Sequence, residues 1–142
     1  MMKQTILHLA RCIIAPALLL VANGCAREAV DTLLEKSGAA VQQGHWQEAL
    51  KYSDRALHKD RTNATAAILK GLSLHGLQRD KEAEDVVETA AAQHPKQFAA
   101  QYFYGWILWE NQRFAEALTP LKAAYDQQQR HPDLLILLSR CC

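Results

Sequence analysis

Residues 64–97 read ATAAILKGLSLHGLQRDKEAEDVVETAAAQHPKQ, and residues 98–131 read FAAQYFYGWILWENQRFAEALTPLKAAYDQQQRH. Laid one over the other at an offset of 34, the two stretches share Ala66 with Ala100, Gly71 with Gly105, Leu74 with Leu108, Gln78-Arg79 with Gln112-Arg113, and Gln93 with Gln127. The same offset carried backwards aligns Glu48-Ala49 with Glu82-Ala83 and Glu116-Ala117, and Ala56 with Ala90 and Ala124. Self-similarity at a fixed period of this length means a stack of like units, each too small to bury its own apolar face alone. Three blocks result, 30–63, 64–97 and 98–131.

The units are helical. Ala recurs seven residues apart in the second half of each block, as at Ala49 and Ala56, which sets both methyl groups on one helix face over two turns. Gly71 and Gly105 fall in mid-helix, where Gly costs about 1 kcal/mol relative to Ala, so a close helix crossing is the expected compensation. Gly44, Gly76 and Gln112 fall near the hairpin turns, and Asn63 and Asp80 are expected N-caps. Pro120, about six residues into a helix, predicts a kink rather than a break. No stretch alternates apolar and polar residues as a strand would.

A period of 34 residues with Gly early, Ala in the middle, a second Ala one face later and Pro near the end resembles the tetratricopeptide repeat. Block two carries Gly71, Ala83, Ala90 and Pro95; block three carries Tyr104-Gly105, Phe114, Ala117 and Ala124; block one has Trp46, Ala49 and Ala56, but Ser37 and Arg61 where Gly71 and Pro95 stand. The resemblance implies an all-α solenoid of helical hairpins, with a partial capping helix at 132–142 and with the first helices of successive blocks lining a concave groove for a peptide. Tyr102, Trp106 and Trp109, spaced i, i+4, i+7, would face that groove, with Ile68, Leu72 and His75 at the matching places of block two. The groove would then hold an apolar peptide or helix of a protein partner. Equally, the aromatic stripe packs under the final helix of the same chain. The charged clamp of chaperone-binding members needs Lys, Asn and Arg where this chain has Leu34, Gly38, Leu69, Ala99 and Phe103, so that activity is not expected.

Ahead of the repeats, residues 1–24 contain Lys3 and Arg11, no acid, and an uncharged run from Cys12 to Ala22. These are the parts of a secretory signal peptide, and the run is too short for a spanning helix of roughly 20 apolar residues. Its end, Val21-Ala22-Asn23-Gly24-Cys25, resembles the bacterial lipobox, with Ala22 in place of the usual Leu. The resemblance implies lipidation (palmitate among the acyl chains) at Cys25, a linker at 25–29, and a lipoprotein on the membrane of the bacterial cell envelope facing the periplasm. Ala26 after the Cys points to the outer membrane.

Composition excludes other classes. Sixteen basic against 15 acidic residues leave a net charge of +1, without the basic footprint that nucleic acids require. His45, His58, His75, His94 and His131 show no metal-ligand spacing, and no phosphate loop or nucleophile elbow is present. The expected protein is a scaffold, not an enzyme, with no cofactor and no metal. One feature points to a different role: Leu134-Leu135-Ile136-Leu137-Leu138 makes a poor solvent-facing cap, so the stack continues through self-association or another partner, or the chain is a piece of a longer repeat array.

Overall fold

The computed structural model describes residues 29–128 and 131–141, and the targeting segment and Cys25 lie outside them. From Leu33 onward the chain is one compact unit. The described part of the first helix, α1, covers 29–42. It is followed by α2 (Trp46–Lys59), α3 (Ala64–Gly76), α4 (Asp80–Gln93), α5 (Phe98–Glu110), α6 (Phe114–Gln127) and α7 (Pro132–Cys141), with no strand among the described residues.

The turns within successive hairpins are built alike. Gly44, Gln78 and Gln112, each 34 residues from the next, take positive φ of 72°, 64° and 61°. At each of them the helix closes with the same pair of main-chain bonds: Gly44 N–H to Val41 and His45 N–H to Ala40, Gln78 to His75 and Arg79 to Leu74, Gln112 to Trp109 and Arg113 to Leu108. This pair satisfies carbonyls that the end of a helix leaves without donors. The left-handed residue of the second hairpin is thus Gln78, and Gly76 is the last residue of α3. Gly76 serves packing instead: a Cβ there would lie 2.2 Å from the Trp46 ring.

Asn63 caps α3 as expected, its side chain accepting from Ala66 N–H at 2.9 Å. Asp80 does not cap α4. The turn at Gln78 starts the helix one residue earlier than that assignment requires, so Arg79 holds the cap position and Asp80 is inside the first turn. Its carboxylate lies 2.7 Å from His75 Nδ1.

The repeated small residues form the seams between helices. Ala49, Ala83 and Ala117 are completely buried, as are Ala56 and Ala124. A Cβ on Gly71 would meet Val87 Cγ1 at 2.4 Å, and one on Gly105 would meet Leu121 Cδ2 at 2.6 Å, which is the close crossing that offsets Gly in mid-helix. Ser37, which replaces Gly in the first block, has its hydroxyl buried and donating to the Ala49 carbonyl at 2.9 Å. Pro120 is buried within α6, which continues to Gln127.

The layers differ in how tightly they are drawn together. α3 touches α5 and α5 touches α7, whereas α2, α4 and α6 make no comparable contact with one another. First helices therefore lie on the inner side of a curved stack and second helices on the outer side.

Candidate functional site

The inner layer presents its apolar surface from α3 and α5. His75 and Trp106 meet edge to face with ring centroids 5.1 Å apart, and Phe103 meets Trp106 at 6.4 Å. His75 Nδ1 lies 2.7 Å from the Asp80 carboxylate, a contact that orients the imidazole beside the indole. Leu72 of α3 is half-buried, and Gly38 is its counterpart on α1, where a Cβ would have nothing within 4 Å. The result is a strip of half-buried apolar and aromatic side chains, the type that anchors interfaces at low entropic cost.

The three aromatic residues expected to act together are divided by the structure. Trp106 reaches α3. Tyr102 turns towards the end of the chain, between Phe98 at 5.5 Å and His131 at 5.2 Å, and burial pushes its phenol above the ordinary tyrosine range, with Asp133 adding to the effect. Trp109 packs on Phe114 at 6.1 Å and under the Arg140 guanidinium at 5.9 Å. All three rings pack against the cluster that contains Leu134 and Leu137 of α7, and Trp106 packs in addition against the cluster of Leu74, Val87 and Ile107. Ile68 is 6% exposed and belongs to the core, so it offers almost no surface to a ligand. Leu72, His75 and Trp106 are half-buried, and so is Phe103, which the sequence singled out only as a departure from the charged clamp. Its signal was the spacing to Trp106, three residues away on the same helix.

Polar groups around the strip are engaged in structural pairs. Arg113 forms ion pairs with Glu84 and with Glu116, and Asn111 Nδ2 donates to Glu84 at 3.2 Å, fastening the α5–α6 turn to α4. Arg79 grips Glu82 in the same way as Arg113 grips Glu116, and in both cases the guanidinium hydrogen bonds hold the carboxyl below the usual carboxylate range. The buried hydroxyls of Ser37, Ser53 and Ser73 donate to main-chain carbonyls of helices. Among the described residues no group of three His, Cys, Asp or Glu is placed to hold a metal ion, and no helix is long and apolar enough to cross a membrane.

A family model described as tetratricopeptide repeat matches residues 34–92 and 81–132. No curated protein sequence matches significantly. Among solved structures, the Arabidopsis OM64 TPR domain superposes with a TM-score of 0.74 at 21% identity over 82% of this chain and 96% of that one. The second TPR domain of human RPAP3, solved in complex with the HSP70 peptide SGPTIEEVD, gives 0.72 at 15% identity over 82% and 97%. The Yersinia enterocolitica type III secretion translocator chaperone SycD gives 0.71 at 16% identity over 80% and 92%.

Proposed function

The chain belongs to the tetratricopeptide repeat family, and on that footing we propose that it is a non-catalytic interaction scaffold whose inner groove receives an apolar peptide or helix of a protein partner. The observation that carries this reading is the set of half-buried side chains Leu72 and His75 on α3 and Phe103 and Trp106 on α5, in which Trp106 meets both His75 and Phe103. The RPAP3 domain is bound to a peptide that ends in acidic residues. Here Leu34, Gly38, Leu69, Ala99 and Phe103 stand where a clamp for such an end would need basic and amide side chains, which favours an apolar ligand.

The scaffold acts at a membrane of the bacterial cell envelope, most naturally the outer one, as a lipoprotein anchored through acyl chains on Cys25. This part of the reading is supported by the apolar run and by Gly24-Cys25. More than one acyl chain gives stable anchoring where one alone binds marginally. Capture of envelope proteins by the wild type and by Trp106→Ala tests the groove: a partner retained equally by both removes Trp106 from the site. Labelled palmitate that still enters a Cys25→Ala variant removes Cys25 as the sole anchor.

A second reading, an assembly subunit that self-associates through α7, is favoured by Leu135 and Ile136, which are 46% and 51% exposed. Leu135→Glu with Ile136→Glu leaves Leu134 and Leu137 in the core. Light scattering of this variant and of the wild type gives different masses if the face self-associates, and a wild-type monomer rejects the reading.

A further inference from the structure

One column of the repeat is occupied unevenly. In the first block it holds Leu33, 6% exposed, in a cluster with Ala56 and Ala66 against which Tyr52 and Leu57 pack. In the third block it holds Gln101, 8% exposed, whose Nε2 donates to the Ala91 carbonyl at 2.8 Å. In the second block the same place has only the methyl group of Ala67, and one turn before it Ala64 stands where the third block has Phe98. The missing side chains leave a cavity of about 340 Å³ between the end of α2, the first half of α3 and α4, lined by Leu57, Val86 and Ala90 as well as the two alanines. It is distinct from the strip around Trp106.

One basic side chain at the mouth of the cavity, Arg61, stands outside the ion pairs of the described residues. Arg61, Lys70 and His94 line it, against Asp85 as the one carboxylate of the lining. Lys70 is neutralised by Asp54 at 2.7 Å, whereas Arg61 has no carboxylate within ion-pair distance among the described residues. His94 Nε2 lies 2.8 Å from the Thr62 carbonyl, which ties the two loops that frame the opening. The volume is in the range of small-molecule sites, with apolar walls and a few convergent polar groups at one end.

We propose that this cavity binds an aromatic carboxylate, its ring filling the space that Leu33 and Gln101 fill in the flanking blocks and its carboxylate meeting the Arg61 guanidinium. A planar guanidinium suits a carboxylate because two N–H groups can donate to its two oxygens in parallel. The ligand is either a free aromatic acid or the C-terminal aromatic residue of a peptide, which share this chemistry. The site does not depend on the groove.

Titration of the full chain with phenylacetate, followed by amide NMR shifts, tests the proposal. Saturable shifts at Thr62, Ala67 and Thr89 are expected, with a dissociation constant in the millimolar range appropriate to so small a ligand. Acetyl-Gly-Gly-Phe with a free carboxylate is the second arm: tighter binding than phenylacetate assigns the site to a protein C-terminus, and weaker binding assigns it to a free acid. Ala67→Leu copies the first block, should raise Tm by filling the void, and should weaken phenylacetate binding about tenfold or more; Ala67→Gln, which copies the third block, serves if the Leu variant does not fold. Arg61→Ala should weaken phenylacetate several-fold and leave benzyl alcohol unchanged. Binding of 2-phenylethylamine as tight as that of phenylacetate, absence of saturable shifts, or undiminished binding in the filled variant would overturn it.

Discussion

Gly38 and Gly105 both lie inside first helices of the stack, yet replacement by Ala should change stability in opposite directions. In a helix interior the added methyl group alone is worth about 0.5–1 kcal/mol, because Gly loses more backbone freedom on folding. At Gly38 nothing lies within 4 Å of the new Cβ, so this gain should be realised in full. At Gly105 the Cβ would lie 2.6 Å from both Cγ and Cδ2 of Leu121 and 3.2 Å from the Leu121 main-chain nitrogen. Leu121 is fully buried, so its side chain has nowhere to retreat, and the nitrogen is held in α6 immediately after Pro120. Overpacking of this kind costs about 1–3 kcal/mol, and the shortfall of roughly 1 Å against ordinary contact places Gly105 in the upper half of that range. After subtraction of the propensity gain, Gly105→Ala should destabilise by about 1–2.5 kcal/mol. For a domain of this size the expected changes in Tm are a rise of about 2–5 °C for Gly38→Ala and a fall of about 4–12 °C for Gly105→Ala. Urea unfolding followed by far-ultraviolet circular dichroism measures both. Equal or same-sign effects would refute the assignment of Gly105 to a close helix crossing.

The left-handed turn residues supply a second test. Gln78 and Gln112 hold φ of 64° and 61° with a side chain present, so Gln78→Gly and Gln112→Gly should each stabilise by about 0.5–1 kcal/mol, read from the midpoint of urea unfolding. The carboxyls of Glu82 and Glu116 titrate below their unfolded values because Arg79 and Arg113 donate hydrogen bonds to them. A lowered folded value means that the contribution is present above the unfolded carboxylate range and is lost as pH falls through the folded one. Thermal unfolding from neutral pH down through the acid range should therefore show a loss of Tm that is smaller in Arg79→Ala with Arg113→Ala, and an identical acid profile in that variant would remove the two pairs as its cause.

The architecture was legible in the sequence because stacking imposes a column on every block. Ala49, Ala83 and Ala117 recur where helices touch, and Gly71 and Gly105 recur where a Cβ would collide, so the period and the seams are written in small residues. The start of α4 was not legible at single-residue precision. Asp80 is a good cap by type, but the left-handed residue is Gln78 and the cap position falls on Arg79, while Gly76 near the turn makes room for the Trp46 ring. The aromatic stripe shows a different limit. Spacing of i, i+4, i+7 puts Tyr102, Trp106 and Trp109 on one side of α5, but that side borders two clusters: all three rings pack against the one that includes Leu134 and Leu137, and only Trp106 also packs against the one that includes Leu74 and Ile107. Ile68 was placed in the groove by its column and is 6% exposed, buried on α3 with Ala64 and Ala66. The cavity beside Ala67 is visible only when the three blocks are compared position by position, because it consists of side chains that one block lacks.

The central claim is that the strip centred on Trp106 receives an apolar peptide or helix, and selection from a displayed random-peptide library followed by affinity measurement addresses it most directly. The account predicts amphipathic sequences with apolar residues at helical spacing, which lose about tenfold or more in affinity, some 1.4 kcal/mol, for Trp106→Ala at unchanged fold by circular dichroism. Selected peptides that are acidic, or that bind Trp106→Ala as tightly as the wild type, would contradict it.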